Sequence, residues 1–145
     1  MKATIIKAFG DANVFEEAEV ATPEPGATEL LVRIKATSVN PVDYQARRGD
    51  YQDMAPLPAI LGGDVSGVVE KIGSEVEEFA VGDKVYYMPL VLEGPGSYAQ
   101  YHVADKSIVA RKPANLSHIE AASFKPANQC SSTPAPAAWA ASPSN

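Results

Sequence analysis

A chain of 145 residues accommodates one domain with a real buried core. Its 46% hydrophobic and 21% charged residues match soluble globular proteins, and a net charge of -6 without a Lys/Arg-rich run excludes nucleic acid and anionic membrane as partners. No apolar run is long enough to span a bilayer, Met1 to Ile6 is too short for a signal peptide, and the single cysteine, Cys130, excludes an internal disulfide framework and suits a reducing cytoplasm.

Lys2 to Phe9 and Glu16 to Ala21 read as strands flanking a turn at Gly10-Asp11-Ala12-Asn13. Leu30, Val32, Ile34 and Ala36 alternate with Leu31, Arg33, Lys35 and Thr37, the period of a half-buried strand that delivers Asn40 to one end of a sheet. There a helix is expected to start. Asn40 suits its cap, Pro41 its first position and Asp43 the positive end of its dipole, and Gly49 closes it after about Arg47. The pair Arg47-Arg48 reads as a solvated helix end.

Pro56 and Pro58 keep the next segment extended, and Val65 to Ile72 reads as a strand. The acids from Glu75 to Glu78 lie between turn signals and converge on nothing, so they read as a solvated loop. Lys84 to Met88, Tyr98 to Val103 and Ile108 to Ala110 supply further strands, with His102 expected to be an exposed strand residue. Ser117-His118-Ile119-Glu120 is a capping box that places His118 in a helix first turn. Many short strands with Gly/Pro turns and few helices give a mainly β (α+β) fold, a small barrel.

Five blocks in order carry a resemblance over roughly Met1 to Phe124. They are Ser38-Val39-Asn40-Pro41-Val42-Asp43, Arg48-Gly49-Asp50-Tyr51, Leu61-Gly62-Gly63-Asp64-Val65-Ser66-Gly67-Val68-Val69, Val81-Gly82-Asp83-Lys84-Val85-Tyr86 and Gly96-Ser97-Tyr98-Ala99-Gln100-Tyr101. This set resembles the N-terminal catalytic domain of the medium-chain dehydrogenase/reductase superfamily, in its zinc-free quinone oxidoreductase (zeta-crystallin-like) and enoyl reductase branch. The resemblance implies a GroES-like partly open barrel over residues 1–124 and hydride transfer from NADPH to a quinone or enone.

In the zinc-dependent branch a cysteine stands at the place of Asn40, and Gly-His-Glu at that of Gly62-Gly63-Asp64. An amide and a glycine do not replace thiolate and imidazole as zinc ligands, and only Pro89 to Pro95 fills the space where a four-cysteine zinc lobe would stand. The expectation is therefore no metal. Without a Lewis acid, hydrogen-bond donors must meet the negative charge that builds on the carbonyl oxygen. The resemblance points to Tyr51 and Asn40 as the groups that steady that charge, with Tyr51 the foremost donor, Asn40 also suited to orienting substrate or the nicotinamide ribose, and Asp43 close to the nicotinamide. Taken without the resemblance, Tyr51 is an amphipathic residue covering the barrel mouth, Asn40 a helix cap and Asp43 a turn-holding acid. Asp64, set between glycines and valines, needs a partner, for which Arg47 or Arg48 is the expected one. Gly62, Gly63 and Gly67 read as residues chosen for backbone conformation.

No Gly-x-Gly-x-x-Gly occurs in these residues. After Phe124 the text KPANQCSSTPAPAAWAASPSN is rich in Pro, Ala and Ser without periodicity, so residues 125–145 read as a disordered tail. Back-translation of Cys130 to Asn145 with permitted codons, read one base earlier, gives VLIHAGAGGVGSFAIQ, a strand, a glycine-rich turn and a helix start. Apart from the serines, the middle base of each shifted codon is set by the residues, and the single codon of Trp139 forces one of the glycines. The tail thus reads as an out-of-frame copy of a dinucleotide-binding motif. The chain is expected to be inactive alone. The alternative is a non-enzymatic barrel that binds a partner or self-associates through an uncovered cleft.

Overall fold

A computed structural model describes residues 1–89 and 92–123. The strands are β1 (Lys2–Ile6), β2 (Phe15–Glu19), β3 (Glu29–Ala36), β4 (Ala59–Ile60), β5 (Val65–Ile72), β6 (Lys84–Tyr87), β7 (Tyr101–Asp105) and β8 (Ala110–Arg111); the helices are α1 (Pro41–Arg48) and α2 (His118–Ala122). They form two antiparallel sheets, ordered β2-β1-β4 and β7-β3-β5-β6-β8. The sheets do not close on one another, as expected of a partly open GroES-like barrel. Residues 98–100 stitch them together. Thr4 N–H donates to the Tyr98 carbonyl (2.7 Å), Gln100 N–H to Lys2 (3.0 Å) and Ile34 N–H to Gln100 (2.9 Å).

Several strand ends differ from expectation for local reasons. The strand expected over Tyr98 to Val103 begins only at Tyr101, because residues 98–100 spend their hydrogen bonds on bridging. Ile108 to Ala110 is divided: Asp105 accepts from Ser107 N–H (2.9 Å) and turns Lys106–Ile108 into a 3-10 helix before β8 begins at Ala110. The Gly10 turn likewise contains a 3-10 helix, Ala12–Val14, with Asp11 accepting from Asn13 N–H. β4, two residues long, carries no pattern that sequence could have disclosed.

Two apolar clusters hold the fold. The larger gathers Leu30, Val32, Val65, Val69, Val85, Tyr87 and Ala104 between the strands of the five-stranded sheet and the Val76–Phe79 loop. Burial of each such side chain contributes roughly 1.5–3 kcal/mol. The smaller, centred on Ile6, Ala46 and Leu61, joins β1 to α1 and to the turn before β5, which fixes the helix over that turn. Among the described residues no helix is long and apolar enough to cross a membrane. The tail reading, residues 125–145, lies outside the described residues.

Candidate functional site

The antiparallel register of β3 on β5 builds the site. Ala36 lies opposite Ser66, so continuing both chains two residues brings Ser38 opposite Asp64. Asp64 is only 6% exposed. Its Oδ2 accepts from the Ser38 hydroxyl and from Asn40 Nδ2, the latter at 2.6 Å. Thr37 Oγ1 donates to the Asp64 carbonyl (2.7 Å) and lies 2.7 Å from Ser97 Oγ. The partners expected for Asp64 are therefore wrong. Arg48 pairs with Asp50 (2.7 Å) and lies over the Tyr44 ring, and Arg47 is half-buried with an Nε that finds no hydrogen-bond partner among the described residues. Arg47-Arg48 is thus only half a solvated helix end.

α1 starts and stops where its residues dictate. Pro41 occupies its first turn, Gly49 closes it at φ 96°, and Asn40 stands at the N-cap. The Asn40 N–H donates to Asp43 Oδ2 (2.7 Å). Asp43, 4% exposed, also accepts from the Tyr98 hydroxyl at 3.1 Å. One asparagine therefore serves both carboxylates, its backbone bound to Asp43 and its carboxamide to Asp64. Among the described residues neither acid forms a salt bridge.

Burial raises the Asp43 pKa above the ordinary carboxylate value, and the nearby Asp64 adds to the rise; hydrogen bonds from Asn40, Tyr98 and the Gly62 backbone oppose it. Burial, then the Asp43 charge, push the Tyr98 phenol well upward, so it stays protonated and donates. Sequence reasoning assigned Tyr98, Ser38, Thr37 and Ser97 no part in the site; the signal for Tyr98, Ser38 and Ser97 was membership of the ordered blocks, and for Thr37 only its place at the end of the alternating strand.

Gly62 adopts φ 108°, and a Cβ there would stand 2.3 Å from Ser97 Oγ and 2.7 Å from the Tyr98 ring. Glycine is needed for both conformation and space. Gly67 is needed for space alone, since its Cβ would meet the Arg33 carbonyl at 2.4 Å. Gly63 is buried beside Asp64. Asp43 and Gly62 line a cavity of about 250 Å³ with apolar walls that include Val42, Ala46, Ile60 and Leu92. Asn40, Asp64 and Tyr51 are not among its lining residues. Tyr51 packs against the Ile6, Ala46 and Leu61 cluster, and its hydroxyl donates to Gln45 Oε1 at 3.3 Å. The structure thus brings Asn40, Asp43 and Asp64 together and leaves Tyr51 in the loop after α1, bonded to Gln45 instead.

The two histidines differ from one another. His118 stands in the first turn of α2 as expected, 2.7 Å from Ser66 Oγ. His102 is not exposed. It is 8% accessible, with Nε2 3.0 Å from the Pro95 carbonyl and Nδ1 3.0 Å from the Tyr87 hydroxyl. Since a carbonyl only accepts, Nε2 carries the proton and Nδ1 accepts from Tyr87. Among the described residues no group of three His, Cys, Asp or Glu side chains is arranged to hold a metal.

The chain is 40% identical over 131 residues to a 2-methylene-furan-3-one reductase of Solanum lycopersicum, covering 86% of this chain and 34% of that protein. It is 36% identical over 129 residues to an NADPH-dependent alkenal/one oxidoreductase, chloroplastic, of Arabidopsis thaliana, covering 84% and 33%. Among solved structures, the quinone oxidoreductase from Coxiella burnetii superposes with a TM-score of 0.83 at 34% identity, covering 86% of this chain and 41% of that one. The chain therefore spans about a third of the length of the curated relatives it matches. Residues 26–114 match the alcohol dehydrogenase GroES-like domain. Together with the partly open barrel, this match makes the chain a member of the alcohol dehydrogenase GroES-like family, and the relatives named above are quinone and alkenal oxidoreductases of the medium-chain dehydrogenase/reductase superfamily.

Proposed function

We propose that this chain is the substrate-side domain of a zinc-independent, NADPH-dependent oxidoreductase that reduces quinones or enones. The observation that carries the proposal is the Asn40-Asp43-Asp64 cluster at the N-terminus of α1, bordering an apolar cavity through Asp43 and Gly62. Apolar walls with a few fixed polar groups suit a small carbonyl compound. The donor set supports the absence of zinc, because an amide, a glycine and a carboxylate stand at the three positions in question.

The cluster also fits a nicotinamide nucleotide, since Thr37, Ser38 and Asn40 offer the hydroxyls and amide that ribose hydroxyls and a carboxamide pair with. When bound, NADPH supplies the hydride. Asn40 and Asp43 hold the nearby backbone and orient what binds there. Tyr51, in the loop after α1 and outside the cavity lining, reaches the oxygen that becomes negative by giving up its bond to Gln45, which at 3.3 Å is long for O–H···O. The single cysteine supports a reducing compartment, and we place the protein in the cytoplasm.

The test is NADPH oxidation with 1,4-benzoquinone, using the 145-residue chain alone and the same chain fused ahead of the NADPH-binding half of a quinone oxidoreductase. The chain alone gives background, because it contains no glycine-rich phosphate loop. The fusion turns over, and Tyr51→Phe lowers its kcat by roughly a hundredfold. A fusion that binds NADPH yet leaves it unoxidised with quinone present refutes the proposal. A second reading is favoured by Val39 and Ile119, 77% and 76% exposed: a non-enzymatic barrel that self-associates through these residues, detected as a dimer by sedimentation and lost in Val39→Ser with Ile119→Ser.

A further inference from the structure

On the side of the barrel formed by β7 and the segment after β2 lies a second cavity, of about 440 Å³. Its apolar walls are built from Val20, Ala21, Pro23, Ile60, Tyr101 and Val103. Its size and lining are those of small-molecule sites. The charges at its margin decide what it can hold. The Met1 ammonium donates to the Val20 carbonyl (2.7 Å) and lies 3.7 Å from Glu19, so its charge is already paired. Glu24 is neutralised by Lys71 at 2.8 Å. Glu29 differs from both. It is half-buried, accepts only from the Gly26 N–H (2.7 Å) among the described residues, and has no cation beside it. His102, also in the wall, cannot supply one, since both ring nitrogens are engaged by Tyr87 and Pro95 and burial keeps the ring neutral.

We propose that this cavity is a second ligand site, separate from the cavity at Asp43, for a small molecule with an apolar body and an ammonium head that pairs with Glu29. Glu29 offers such a head a carboxylate that no cation in the cavity pairs, whereas the ammonium of Met1, at the same margin, is already held by Val20 and Glu19. Ile60, Pro95 and Gly96 line both this cavity and the one at Asp43. Those three residues are therefore a common wall, and occupancy on one side is felt on the other.

2-Phenylethylamine and phenylacetate share a ring and differ in the sign of the head, so they separate the charge argument from simple apolar binding. Each is titrated into the 145-residue chain while amide resonances are followed by NMR. The amine is expected to saturate with a Kd of about 1 mM, as befits so small a ligand, shifting Tyr101, Val103 and, across the shared wall, Gly96. Phenylacetate is expected to leave them unmoved. Glu29→Gln retains an acceptor for Gly26 and is expected to weaken the amine about tenfold or more. Absence of saturable shifts with the amine, equal binding of phenylacetate, or undiminished binding to a folded Glu29→Gln chain overturns the proposal.

Discussion

Replacing Asn40 with Asp tests the site's central contact. The Asn40 Nδ2 stands 2.6 Å from Asp64 Oδ2 in surroundings where Asp64 is 6% exposed. Asn40→Asp changes that donor to a second carboxylate oxygen without altering shape. Two unit charges at this separation repel by about 6 kcal/mol at an effective dielectric of 20. Retaining one proton on the pair at pH 7 costs about 4 kcal/mol, reckoned from an ordinary aspartate near 3.9 at about 1.4 kcal/mol per pH unit. Protonation is the cheaper course, so the folded variant binds one proton that its unfolded form lacks. The affected pKa is raised, so stability is retained below the unfolded value and declines as pH rises through the folded one. The variant should lose about 1.5 kcal/mol at pH 5 and about 4 kcal/mol at pH 7 relative to the parent. Asn40→Ala, which only removes a donor, should lose about 1.5–3 kcal/mol at both. Urea unfolding followed by circular dichroism at the two pH values measures the difference. Equal losses for Asn40→Asp at pH 5 and pH 7 would show that the carboxamide does not face Asp64.

Gly62→Ala combines a strained backbone at φ 108° with a methyl group 2.3 Å from Ser97 Oγ, and should destabilise the chain by about 2–6 kcal/mol in the same unfolding assay; a change under about 0.5 kcal/mol would refute the described turn. For His102, burial lowers the pKa, so its contribution is complete above the ordinary value near 6.5 and is lost as pH falls through the folded one. The stability difference between the parent and His102→Gln should therefore shrink below about pH 6.5, by up to about 1.4 kcal/mol per unit. Parallel curves from pH 7 to pH 5 would contradict the neutral, buried assignment.

What could be read from sequence here is what acts over a few residues. Asn40, Pro41, Asp43 and Gly49 set the ends of α1 through contacts within one turn, and Ser117 with Glu120 does the same for α2. The partner of Asp64 is a different matter. It follows from the pairing of Ala36 with Ser66, a register fixed by two strands and two bulges, and matching charge to the nearest arginines in sequence had no access to that register. His102 fails for a related reason. Along β7, Tyr101 and Val103 occupy the half-exposed face while His102 and Ala104 are buried, so ranking faces by hydrophobicity selects the wrong one. The buried face accepts histidine because Tyr87 and Pro95, from two other segments, satisfy both ring nitrogens. The same dependence on distant partners separates Tyr98 from Tyr51. Both are loop tyrosines within the family's ordered blocks, yet only Tyr98 is carried by the bridge between the sheets, and that bridge holds its phenol against Asp43. Tyr51 sits in a loop whose hydroxyl contact is local, to Gln45 on the preceding helix. A phenol tied only to its own neighbour is free to exchange that bond for a ligand, whereas one tied across the fold is committed to holding the site's shape.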